Sequence, residues 1–224
     1  MTIPTRRFRR RARYHVLIAL GAVAVGLAAS SALGHGDLRS RLSVATAYVA
    51  LACVASSLLL GPINLLRDQP NPVSSDLRRD IGLWGGIVGL VHFGVGLTVH
   101  QRGKMYQYFF PAHGAASTLP VRLDAFGAAN YAGLLAGGVL LLLVVLSSDL
   151  ALRRLGTARW KRLQQLNYVC AAAIVAHGVL YQAIEKRRLL LVLVFLTVTL
   201  LTIGLQYLGV RIRKKALLAR PNSR

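Results

Sequence analysis

Two histidines, His92 and His177, each sit deep inside a long apolar run. An ionisable side chain in such a run is costly to hold within a membrane, so it marks a functional site and needs a named partner. A collar of cations precedes each run, Arg78-Arg79-Asp80 before His92 and Arg159-Trp160-Lys161-Arg162 before His177. His92 lies 13 residues beyond Arg79, and His177 lies 15 beyond Arg162. At about 1.5 Å of helix rise per residue, both stand roughly 20 Å from their own collar. If the two helices run the same way, the imidazoles face each other at one depth. Neutral imidazole is a good iron ligand, and two of them fill both axial positions of a haem. Such a centre suits electron transfer better than oxygen binding.

The neighbours of the pair are small. Gly85, Gly89, His92 and Gly96 share one helix face, and Ala173 and Gly178 lie close to His177. Small residues beside a ligand histidine leave room for a flat macrocycle. The plainer alternative is close helix packing through small-xxx-small stripes, to which Gly133 and Gly137 also conform, with the histidines as hydrogen-bonded packing residues. His15, His35 and His113 fall at a helix edge or in loops and read as solvated. His100, eight residues past His92, stands roughly 12 Å further out. It reads as a surface residue too, although His100, Arg102 and Arg122 are candidate partners for haem propionates.

The elements that would hold these residues are apolar helices. Mean hydropathy is +0.51, 54% of the 224 residues are hydrophobic, and uncharged runs follow one another in series. The class is an all-α polytopic membrane protein. Six spans are expected, at residues 15–33, 42–66, 81–100, 131–146, 164–184 and 189–208, making a bundle with haem between the third and fifth. Residues 1–14 form a basic N-terminal segment, 15–210 the helical domain and 211–224 a basic tail. The first segment resembles a signal peptide, but its apolar run is long enough to span, and a retained helix is expected. Net charge is +21, yet no aromatic-basic patch of a nucleic-acid binder is visible. The cations cluster between the spans instead. With the N-terminus inside, 20 of the 28 Lys and Arg fall on the inner side, which predicts cytoplasmic termini and an outer loop at 101–127. Cys53 and Cys170 both lie within spans as small apolar filler, and no C-x-x-C-H is present, so a haem would be held non-covalently, as b-type.

The chain also resembles a family. Arg78-Arg79-Asp80-Ile81-Gly82-Leu83-Trp84 leads to Leu90-Val91-His92-Phe93. Ser147-Ser148 precedes Leu152-Arg153-Arg154-Leu155-Gly156, and Arg159-Trp160-Lys161-Arg162-Leu163 leads to Ala176-His177. In these motifs the chain is similar to the ferric reductase-like transmembrane domain, nearest to the haem-binding membrane subunit of bacterial periplasmic methionine sulfoxide reductase systems. The resemblance spans roughly residues 42–208. It implies a six-helix bundle in the bacterial inner membrane that carries electrons outward through b-type haem. The donor would be a cytoplasmic flavin reductase, and the acceptor a periplasmic reductase subunit, ferric iron or similar. In the family a second histidine commonly stands thirteen positions before the deep one, serving an inner haem. Here that position is Gln164, followed by Gln165. One haem per chain is therefore expected, as in the single-haem metalloreductases, in which a flavin bridges the inner half of the membrane. Candidate contacts for such a flavin, FMN or FAD, are Arg78, Arg79, Trp84, Arg159, Trp160, Lys161 and Arg162. The positive-inside rule alone also accounts for these cations.

A different class remains open: a haem-free transporter or assembly factor whose histidines only pack or relay protons. A proton-coupled transporter should carry more intramembrane acids, and every Asp and Glu here lies in a loop or at a helix edge. No G-x-G-x-x-G fingerprint or phosphate-cradling loop is present, so nicotinamide binding by this chain is not expected.

Overall fold

A computed structural model describes residues 3–33, 36–69, 76–101, 104–111 and 120–218. They form seven α-helices and one 3-10 turn, with no strand among them. The helices are α1 (Ile3–Leu33), α2 (Leu38–Leu66), α3 (Asp76–Gly96), α4 (Ala125–Leu146), α5 (Asp149–Gln164), α6 (Leu166–Ile184) and α7 (Leu189–Leu218); the turn is Met105–Tyr108. Three starts are capped by a side-chain oxygen that takes up an orphan backbone N–H. Asp37 accepts from Ser40 N, Asp124 from Gly127 N and Ser148 from Ala151 N.

Five helical stretches are long and apolar enough to cross a membrane: Arg9–Leu33, Leu38–Leu66, Ala125–Leu146, Asp149–Ile184 and Leu189–Lys215. The molecule is thus a helical protein of multi-pass membrane character. α3 falls short on apolarity chiefly because any span-length stretch of it includes Arg79 and Asp80, with His92 and the glycines adding to the effect. The expected spans shift at several edges. α3 ends at Gly96, so His100 lies beyond it in a turn rather than closing the span. α4 begins at Ala125, six residues earlier than expected, where Asp124 caps it. The cationic segment after Ser148, which reads as a loop in the sequence, is helix α5, bent at Gly156, whose φ of 70° few other residues tolerate. α7 continues to Leu218, so the start of the basic tail is helical.

α2 is the central helix and packs on α1, α3 and α7, while α4 joins α3 to α6. Close approach explains the α3 glycine stripe. A Cβ at Gly85 would stand 3.1 Å from Cys53 Cβ, and one at Gly89 would stand 2.7 Å from Leu140 Cδ1. Gly85 is thus taken up by packing against α2, while Gly89 and Gly96 also line a cavity between the helices. Cys53 and Cys170 are free and buried.

α1 is fixed at its basic end by an ion pair. Asp80, fully buried on α3, takes Arg11 through both oxygens, at 2.6 and 3.2 Å. His15 Nε2 stands 3.7 Å from the same carboxylate, and its Nδ1 accepts a 3.1 Å hydrogen bond from Trp84. His15 keeps a partly exposed side chain, as its position at the helix edge suggests, and packing also ties it to α3.

Candidate cofactor site

His92 and His177 come together. Their ring centroids are 6.2 Å apart and the ring planes cross at 77°. His92 Nδ1 lies 3.0 Å from the Ser43 carbonyl on α2, and His177 Nδ1 lies 2.8 Å from the Ala129 carbonyl on α4. A carbonyl only accepts, so each Nδ1 carries a proton. In the neutral rings both Nε2 atoms then hold a free lone pair, the form in which imidazole binds a metal. Gly133 makes this possible for His177, because a Cβ there would meet the ring at 2.7 Å.

Both rings line a cavity of about 190 Å³ between α2, α3, α4 and α6. Its far rim carries His100, Tyr181 and Arg187. Tyr181 stacks over His100, packs 4.8 Å from His177 and donates to Asn130 Oδ1 at 2.8 Å. His100 Nε2 lies 3.1 Å from Glu185. Arg122 is not part of this lining. Its guanidinium binds Asp124 at 2.9 Å, donates to Gln107 O at 3.0 Å and covers the Phe126 ring. Burial raises the Asp124 pKa, but hydrogen bonds from Gly127 N and Arg122, with the Arg122 charge, outweigh it and hold the carboxyl below its ordinary value. Arg102 and His113 lie outside the described residues, as does His35.

A second cavity, of about 350 Å³, opens at the opposite end of the same helices. Arg78, Arg79, Trp160 and Lys161 line it, together with Gln164 and Arg213. The two cavities also fix direction: the starts of α3 and α6 meet at this one and their ends meet at the other, so the two helices run the same way. Arg79 is paired with Asp149 at 2.7 Å, and Arg78 donates to Ser57 O at 3.0 Å. Trp160 donates its N–H to Leu146 O at 2.8 Å. Gln164 Nε2 and Asn167 Oδ1 are buried here without a hydrogen-bond partner among the described residues. The remaining candidates are elsewhere. Trp84 faces His15, while Arg159 and Arg162 are exposed on α5 and outside the lining.

Sequence reasoning misses two residues of this far rim, Tyr181 and Arg187. Tyr181 stands four residues after His177 and hence on its face, a signal that helical spacing does carry. Arg187 reads in the sequence only as part of a tight turn. Among the described residues no group of three or more His, Cys, Asp or Glu could hold a metal ion. No family model, curated protein or solved structure matches the chain.

Proposed function

We propose that this chain is a membrane electron-transfer subunit holding one b-type haem between His92 and His177. The observation that carries the reading is the geometry of the two rings. Two imidazoles that shared one metal, each through a bond of about 2 Å, would hold their ring centroids about 6 Å apart. The spacing here is 6.2 Å. The ring planes cross at 77°, and with each Nδ1 held by a carbonyl the Nε2 atoms are the ones left for a metal. Both Nδ1 protons are engaged by backbone carbonyls, which fixes the orientation of the rings. Bound haem would supply a one-electron iron couple; the residues around it exclude water and set its orientation.

In this reading α3 is a sixth crossing beside the five apolar stretches, and both termini are cytoplasmic. The cavity lined by Arg78 and Lys161 then faces the cytoplasm and takes a flavin, FMN or FAD. Its cations suit a phosphate, and its unpartnered Gln164 and Asn167 amides suit a polar ring edge. A cytoplasmic flavin reductase is the proposed donor. The acceptor on the outer face is a periplasmic methionine sulfoxide reductase partner, ferric iron or similar.

The test is a reduced-minus-oxidised absorption spectrum of the detergent-purified chain expressed with ample haem. Sharp low-spin bands are expected, lost in His92→Ala and in His177→Ala. A featureless Soret region would overturn the reading and leave two packing histidines.

A further inference from the structure

We propose that Arg187 is the carboxylate anchor of the outer cavity, gripping the acidic edge of the group held by His92 and His177. This rests on the haem reading and goes beyond it, by naming the cation that fixes which way round the macrocycle sits. The backbone places Arg187 there. α6 ends with Glu185 N on Tyr181 O, Lys186 N on Ala183 O and Arg187 N on Gln182 O. Lys186 takes a φ of 45° between them. This is a Schellman ending, which reverses the chain within one residue and closes the last carbonyls of the helix. Three backbone hydrogen bonds therefore carry Arg187 back over the cavity mouth.

The other cations near the mouth are differently engaged. Lys186 and Arg188, its chain neighbours, are exposed and outside the lining. Arg122 is bound to Asp124, and His100 to Glu185. The Arg187 side chain is only 20% exposed, and its contact to Glu185 is long, at 4.0 Å. A largely buried guanidinium with so weak a partner, lining a cavity otherwise mostly apolar, is suited to a planar carboxylate, which it can bind through two parallel N–H donors. The chemical class it selects is an apolar macrocycle bearing a carboxylate edge.

The experiment titrates the full-length apo-chain in detergent with haemin and with haemin dimethyl ester, which keeps the iron and ring but has no free carboxylate. Low-spin Soret absorption reports binding. Wild type should bind haemin about ten-fold or more tightly than the ester, the worth of one charge-assisted interaction. Arg187→Leu should lose that preference with its ester affinity unchanged, Arg187→Lys should recover part of it, and Arg122→Leu should match wild type. Equal wild-type affinity for the two compounds would overturn the anchor while leaving the haem reading intact, and needs no variant. So would an Arg187→Leu chain that weakens both compounds alike, since that is a folding effect. A wild-type chain giving no low-spin spectrum with either compound would remove the haem reading and this inference together.

Discussion

His177 packs its imidazole directly against the backbone of Gly133, with its Nδ1 2.8 Å from the carbonyl of Ala129 one helical turn earlier on α4. The glycine and the carbonyl act together, because the ring can reach the carbonyl only where α4 presents no side chain. Gly133→Ala should therefore displace His177. A cost of about 1–3 kcal/mol is expected from overpacking, together with loss of low-spin haem binding. Gly138→Ala is the control, since nothing lies within 4 Å of a Cβ there. Thermal unfolding in detergent and the Soret spectrum check both, and equal behaviour of the two variants would count against the geometry.

Asp80 should be the residue through which the basic end of α1 is held. It is fully buried, and Arg11 and His15 both approach it. Asp80→Ala leaves Arg11 beside an apolar gap. The loss should be on the order of 2 kcal/mol, less than a fully buried pair would give, because Arg11 is about a third exposed. Arg11→Ala should cost as much or more, since it strands a buried carboxylate. A double variant close to either single one identifies the pair, whereas additive losses would mean that the two act separately.

Much of this arrangement is legible in the sequence. The depth match of His92 and His177 follows from counting residues beyond two cationic collars: α3 is continuous from Arg79 to His92, and α5 passes into α6 at Gln165, which keeps right-handed helical φ and ψ. What the sequence conceals is local or long-range. Helix α5 is hidden by its charge, although Ser148 is an ordinary cap, and the bend at Gly156 interrupts the pattern midway. The placing of His15 against Trp84 and of Arg122 against the Gln107 carbonyl depends on packing between elements, which spacing along one helix does not contain. Arg187 turns inward through a positive φ at Lys186, a conformation the sequence would advertise only with glycine or asparagine there.

That same φ gives a stabilising substitution. A non-glycine residue in the left-handed region carries a penalty of about 1 kcal/mol. Lys186→Gly should thus raise the unfolding temperature slightly while leaving haemin affinity unchanged, because it preserves the ending that positions Arg187. A fall in temperature, or weakened haemin binding, would show that Lys186 has a role of its own.

Haem number separates the single-haem reading from a two-haem arrangement. Gln164 stands where an inner ligand would be, and its amide Nε2 is buried without a partner among the described residues. An amide is a poor haem ligand, so a pyridine haemochrome assay should return one haem per chain. A ratio near two would contradict this and would require a ligand pair at the Arg78 end of the bundle.

The electron source follows from distance and from the second cavity. In the proposed orientation the imidazole pair lies roughly 20 Å of helix rise from the cytoplasmic collars, a long gap for direct transfer from a soluble donor. The cavity lined by Arg78, Lys161 and Gln164 occupies that interval and could hold an intermediate carrier. No nicotinamide fingerprint is present in the sequence. Purified protein mixed with NAD(P)H alone should therefore keep its haem oxidised. Adding a flavin reductase with free flavin should reduce it, at a rate that falls several-fold in Arg78→Gln, which removes a cavity cation, and changes little in Arg159→Gln, which lies on the exposed face of α5. Equal rates in the two variants would detach the cavity from the electron path. Reduction by NAD(P)H without any added protein would end the case for a separate donor.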